Sequence, residues 1–135
     1  MSGKCLVVYY SKTGNTKTVA EAIAKRMGGD LCEVNEQGAA LSSVDPSGYG
    51  LVVVGTPVNG FSTSLPIQGY LAQNKERLPA VAFFATYGLY AAGTFGGMEK
   101  LAGKKPLATV TIKGKDVQQG KIDAKVDGFV AALKK

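Results

Sequence analysis

The sequence predicts one α/β domain in which a parallel sheet of five strands is covered by helices on both faces. Three observations predict it. Short, continuously apolar runs recur along the chain, as strands buried on both faces require. Stretches of helical period lie between them, with glycine and proline as punctuation. The alternation has the spacing of right-handed strand–helix–strand crossovers.

The elements follow in order. Residues 5–10, CLVVYY, form the first strand. Residues 15–27 form a helix with Val19, Ile23 and Met27 on one stripe, stopped by Gly28 and Gly29. Residues 31–34 are a second, weaker strand, and residues 38–50 hold one short helical stretch with a break at Pro46 and Gly48. The apolar run 51–54 is the third strand. Residues 66–75 suit a helix with Pro66 in its first turn and Ile67, Tyr70 and Leu71 inward. Residues 81–85 are the fourth strand, 94–101 a helix closed by Gly103, 107–112 the fifth strand and 122–133 a closing amphipathic helix. No repeat, low-complexity segment or linker interrupts this single domain over residues 1–135.

With 135 residues, 45% hydrophobic and 19% charged, the chain can build one ordinary core. No apolar run approaches the ~20 residues of a membrane span, and the start leads straight into a strand without a cleavage-site pattern. A cytoplasmic location is therefore expected. There is no histidine, which excludes histidine-based catalysis, and the two cysteines, Cys5 and Cys32, cannot close a zinc site alone. Both sit in apolar runs and read as buried free thiols rather than a disulfide. Redox chemistry would then fall to an organic cofactor. The net charge of +6 is concentrated in residues 99–135, with nine basic against four acidic side chains. It reads as a solvated basic face; the alternative, nucleic-acid binding, lacks interleaved aromatics.

In sheets of this kind ligands bind beyond the carboxyl ends of the strands, where strand order reverses. Ser11, Lys12, Thr13, Gly14, Asn15 and Thr16 stand between the first strand and its helix. Three hydroxyls, an amide and a glycine at a helix N-terminus suit a phosphate monoester. Plain N-capping needs only one such residue. The spacing fits neither a Walker loop nor a dinucleotide fingerprint. The loops after the third and fourth strands, 55–66 and 86–97, are long, glycine-rich and uncharged. Loops of that kind beside a phosphate site suit a flat apolar group, with Phe61, Tyr87 and Tyr90 as candidate stacking partners.

On these residues the chain resembles the flavodoxin family. Ser11, Thr13, Gly14 and Thr16 match the family's phosphate motif, Ser/Thr-x-Thr-Gly-x-Thr. The runs LVVVGTPV (51–58) and FFATYG (83–88) resemble its third and fourth strands with their flavin loops. The resemblance implies a doubly wound, three-layer α/β/α fold of strand order 2-1-3-4-5 and FMN as cofactor. It implies that residues 11–16 hold the phosphate. Thr56, Pro57, Val58, Asn59, Gly60 and Phe61, with Thr86, Tyr87, Gly88 and Tyr90, would flank the isoalloxazine. In the family a peptide of the third-strand loop turns its carbonyl toward flavin N5 on reduction. Asn59 and Gly60 are the candidates here, since glycine tolerates positive φ. The chain has no tryptophan and is basic where the family is usually acidic. Redox partners with acidic docking surfaces, and a less negative potential for the second electron, are therefore expected. The implied role is a monomeric electron shuttle, with no nucleic-acid or membrane partner. An FMN-dependent NAD(P)H:quinone reductase of the same fold and a flavodoxin-like regulatory domain are the alternatives.

Overall fold

Strand pairing sets the architecture of the computed structural model, which describes residues 4–11, 14–41, 44–59, 62–88 and 94–134. β1 (Cys5–Tyr9) lies between β2 (Asp30–Glu33) and β3 (Leu51–Asn59), and all three run parallel. β3 pairs in turn with β5 (Ala80–Tyr87), and β5 with β6 (Thr109–Lys113). Val7 stands beside Leu31 and Val53, and Val53 beside Ala82, so the apolar runs align across the sheet. The order β2-β1-β3-β5-β6 is the expected 2-1-3-4-5 once the short β4 (Ser62–Thr63) is set apart. That arm folds back antiparallel on the end of β3.

Helices cover both faces. α1 (Asn15–Met27) and α5 (Asp123–Leu133) lie over Val7, Val53, Ala82, Phe84 and Ile112. α2 (Leu65–Asn74) and α3 (Thr94–Ala102) cover Leu6, Val8, Val52, Val54 and Phe83. The alternation of side chains along each strand explains why successive residues serve opposite cores. A forked contact fastens α1 to α5: Arg26 Nε meets Asp127 at 2.6 Å and Nη2 meets Asp123 at 2.8 Å.

Several elements depart from the sequence reading. Among its described residues the stretch 38–50 holds a 3-10 turn, Pro46–Gly48, and no longer helix; the Asp45 carboxylate caps the turn by accepting from the Ser47 N–H. β3 and β5 run further than expected, and β6 starts later, at Thr109. A short helix unseen in the sequence, α4 (Gly114–Gln118), follows β6 directly. Both sheet edges are managed. Val34 and Ala40 bridge antiparallel beside β2, and the Lys125 ammonium donates to the Thr111 carbonyl on the open side of β6 at 3.1 Å.

Cys5 and Cys32 are both buried thiols, outside any disulfide. They serve the two opposite cores, so the sheet itself separates them. Burial, helped by Asp30, pushes the Cys5 thiol up to about 11, and burial with Glu33 and Glu21 pushes the Tyr9 phenol up to about 12. Both groups hold their protons more tightly folded than unfolded. Their contribution is therefore complete below the unfolded values near 8.5 and 10, and is lost as pH rises through 11 and 12. Melting temperature is expected to fall between about pH 9 and pH 11, and the native protein to leave Ellman's reagent untouched at about pH 8. Prompt native titration of a thiol would contradict the buried placement.

Candidate mononucleotide site at the strand ends

The carboxyl ends of β1, β3 and β5 converge at the point where strand order reverses, between β1 and β3. After β1 the chain turns into α1 through Gly14, which has φ +96. A Cβ there would meet nothing within 4 Å, so it is the backbone conformation and not space that calls for glycine. Ser11 Oγ closes the turn by accepting from the N–H groups of Gly14 at 3.0 Å and Lys17 at 3.2 Å. With both bonds accepted, its own hydrogen is left to donate. No acidic side chain stands in the first turn of α1, so the helix itself leaves the positive end of its dipole uncompensated. Asn15 begins the helix and lies against Gly114, where an added Cβ would come within 2.8 Å of its Nδ2.

Thr16 turns inward. It is 1% exposed, and its Oγ1 lies 2.7 Å from Thr86 Oγ1 at the end of β5. The two hydroxyls own two hydrogens and the contact uses one, so the pair keeps one to donate. Thr86 belongs to the α1 face of the sheet, with Pro57 of β3 beside it.

Thr56 makes the matching tie on the other face. Its Oγ1 donates to the Pro57 carbonyl at 2.8 Å and accepts from the Ser64 N–H at 3.0 Å. Ser64 Oγ is 2.9 Å away and completes it as donor. All the bonding capacity of Thr56 is thereby used within the protein, so it fastens β3 to the start of α2. Pro57 and Val58 are half-buried in the extended β3; Tyr87 is half-buried and Gly88 exposed beyond β5. The backbone of Asn59 ends β3 opposite Ser62. Lys12, Thr13, Gly60, Phe61 and Tyr90 lie outside the described residues.

The structure thus brings Ser11, Gly14, Asn15, Thr16 and Thr86 together, with Thr56, Pro57, Val58, Tyr87 and Gly88 on the neighbouring strand ends. Ser64 and Gly114 escaped the sequence reading. Ser64 carried a signal, a serine just ahead of Leu65 and Pro66 at a helix start. Gly114 gave none, because its partner Asn15 is distant in sequence.

An open parallel sheet with a hydroxyl-lined helix N-terminus at its switch point has the architecture of the mononucleotide-binding α/β proteins. The chain belongs to the flavodoxin family: the family model for the flavodoxin domain matches residues 6–135. Among solved structures, a flavoprotein from Lactobacillus acidophilus in complex with FMN aligns with TM-score 0.70 and 23% identity, over 86% of this chain and 97% of its own. The two-electron reduced flavodoxin of Megasphaera elsdenii aligns with TM-score 0.68 and 18% identity, over 96% and 98%. A WrbA-like flavodoxin protein from Agrobacterium tumefaciens gives 0.70 and 15%, over 98% and 99%. No relative among curated protein sequences matches.

Proposed function

We propose that this chain binds one FMN at the ends of β1, β3 and β5 and carries electrons between protein partners. The start of α1 carries the reading. Gly14 supplies the turn into it, its first turn holds no carboxylate, and Ser11 and the Thr16–Thr86 pair each keep a hydrogen to donate. A site with donors to spare and its acceptors occupied suits the dianion of a phosphate monoester. The solved relative from Lactobacillus acidophilus that holds FMN supports the choice of nucleotide.

The family's cofactor supplies one- and two-electron redox chemistry when bound. The chain's own part is to bind, orient and exclude water. Backbone N–H groups at Asn15 and Thr16, with the hydroxyls, would fix the phosphate. Pro57, Val58 and Tyr87 would shield the ring system; 55–59 and 86–88 are uncharged, so that surface adds no local charge. Without histidine, the described strand ends offer little with which to move protons for a substrate, which favours a carrier over a stand-alone enzyme. We take it to work as a cytoplasmic monomer whose partners present acidic surfaces, given the net charge of +6.

Titration of the apoprotein with FMN, followed by flavin fluorescence, tests the reading. One equivalent should bind, with riboflavin weaker by ~tenfold or more because it lacks the phosphate contacts. The loaded protein should oxidise NADPH only when a reductase is added. Steady turnover by the protein alone would place it among the enzymes, and absence of flavin binding would remove the proposal.

A further inference from the structure

The positive excess of the described chain lies at the end of the molecule opposite the candidate site. Helices that descend from the strand tips deliver their C-termini to the amino-terminal ends of the strands. Lys4 precedes β1 there, Lys25 lies in the last turn of α1, and Lys75 and Arg77 follow α2. Lys100 lies near the end of α3, Lys104 and Lys105 follow it, and Lys134 follows α5. Arg26 stands in the same last turn as Lys25, its charge met by Asp123 and Asp127 of α5, and Asp30, Asp45, Glu76 and Glu99 are the other carboxylates at that end. Over the rest of the described chain five cations stand against four carboxylates, so most of the excess lies at this end.

Helix dipoles account for part of this, since a cation in a last turn is favourable. They do not account for Lys4 and Lys105, which stand outside the helices, or for Lys104, whose ammonium sits on the carbonyls of Leu78 and Pro79 instead of on the end of its own helix. Apolar surface is exposed among these charges. Between Lys4 and Lys134 lies a depression of about 380 Å³ lined by Met27, Leu51, Leu107 and Leu133. Leu107 is 60% exposed. A second depression of about 410 Å³ is lined by Lys100, Lys104 and Lys105 against one carboxylate, Glu99, and the segment 103–107 passes both.

We propose that this basic end is a docking surface for an acidic protein segment, one with carboxylates on either side of a large apolar side chain. The lysines would meet the carboxylates, and the apolar side chain would cover Leu107 and the floor beside it. A nucleic acid fits less well. Its backbone offers nothing apolar for the depression, no aromatic ring is among the large exposed hydrophobics of the described residues, and the cations are nearly all lysines, not bidentate arginines. A membrane surface fits less well too, because a single leucine gives little apolar area to insert. A segment held here leaves the ends of β1, β3 and β5 uncovered, roughly 25 Å away along the eight residues of β5 at ~3.3 Å each. Tethering and electron exchange would therefore not compete for one face. The inference rests on charge and shape at the basic end, and stands or falls separately from FMN binding.

The test uses the full chain, loaded with FMN where it binds, and a short fluorescein-labelled peptide of glutamates around one leucine, read by anisotropy at low and physiological salt. The peptide should bind more tightly at low salt. The double variant K100E/K105E should weaken it by ~tenfold or more, and Leu107→Ser by severalfold, with circular dichroism unchanged. K113E/K115E, the same charge change at the other end, should move it by no more than about twofold. Equal loss from both charge pairs would reduce the effect to long-range attraction and overturn the site. So would tighter binding to an oligothymidylate or to phosphatidylserine vesicles than to the peptide, or no peptide binding at low salt.

Discussion

Replacing Gly55 with alanine is expected to destabilise the protein by ~3 kcal/mol, the top of the range for forcing a methyl into a packed core. Gly55 sits in β3 with Tyr9 beside it on β1 and Phe84 on β5. The Phe84 ring lies over the glycine, and a Cβ there would overlap it. The ring has nowhere to go: Phe84 is fully buried in the core beneath α1 and α5. Either the strand or the ring must move, and close-packed interiors resist both. Urea curves of equal slope would measure the loss as a lower midpoint. The cause can be isolated, because Phe84→Leu removes the clash along with part of the core. G55A/F84L should therefore be more stable than the two single losses added together, with a coupling of about 1 kcal/mol or more. A G55A protein within ~0.5 kcal/mol of the parent would mean that the ring does not lie over Gly55.

The second large effect concerns ligand choice. Thr86→Val keeps the shape of the side chain and deletes the partner of the buried Thr16 hydroxyl, 2.7 Å away. The orphaned hydroxyl costs ~1–3 kcal/mol, and the one hydrogen left to Thr16 loses the partner that oriented it. FMN affinity should fall by ~tenfold or more while riboflavin affinity moves by less than about twofold, since riboflavin has no phosphate to miss them. Thr86→Ser should restore most of the difference. Equal losses for the two ligands would show that the pair only fastens α1 to the sheet.

How much of this was legible beforehand varied with the reach of the contacts involved. The first helix came out at its true bounds, 15–27, because its apolar stripe and Gly28 are both local signals. β3 did not. Gly55, Thr56 and Pro57 have loop composition, yet Thr56 pairs with Ala85 and Pro57 with Thr86. Pairing with β1 ends at Gly55, so beyond it β3 has a parallel neighbour on one side only. A proline is tolerated in such an edge position. α4 is too short to show a period, and its Gly114 is dictated by an asparagine near the other end of the chain. Within the site, the residue types at 11–16 revealed the phosphate chemistry, but not that Thr16 faces a partner seventy positions away. The charge excess was visible as a property of residues 99–135; only the fold gathers it, with Lys4, Lys25, Lys75 and Arg77, at one end.

One of the remaining lysines has a different duty. An open strand edge is a template: its unpaired carbonyls and amides invite any extended chain to add itself, and the added strand offers the same invitation to the next. On β6 that invitation is withdrawn at Thr111, whose carbonyl is already taken by the Lys125 ammonium. A second chain arriving there would have to displace a cation from its acceptor and then bury it. The contact adds little to the stability of the single molecule, since it is exposed. Its value is to crowds of them: it raises the cost of pairing along that edge for every molecule that meets another.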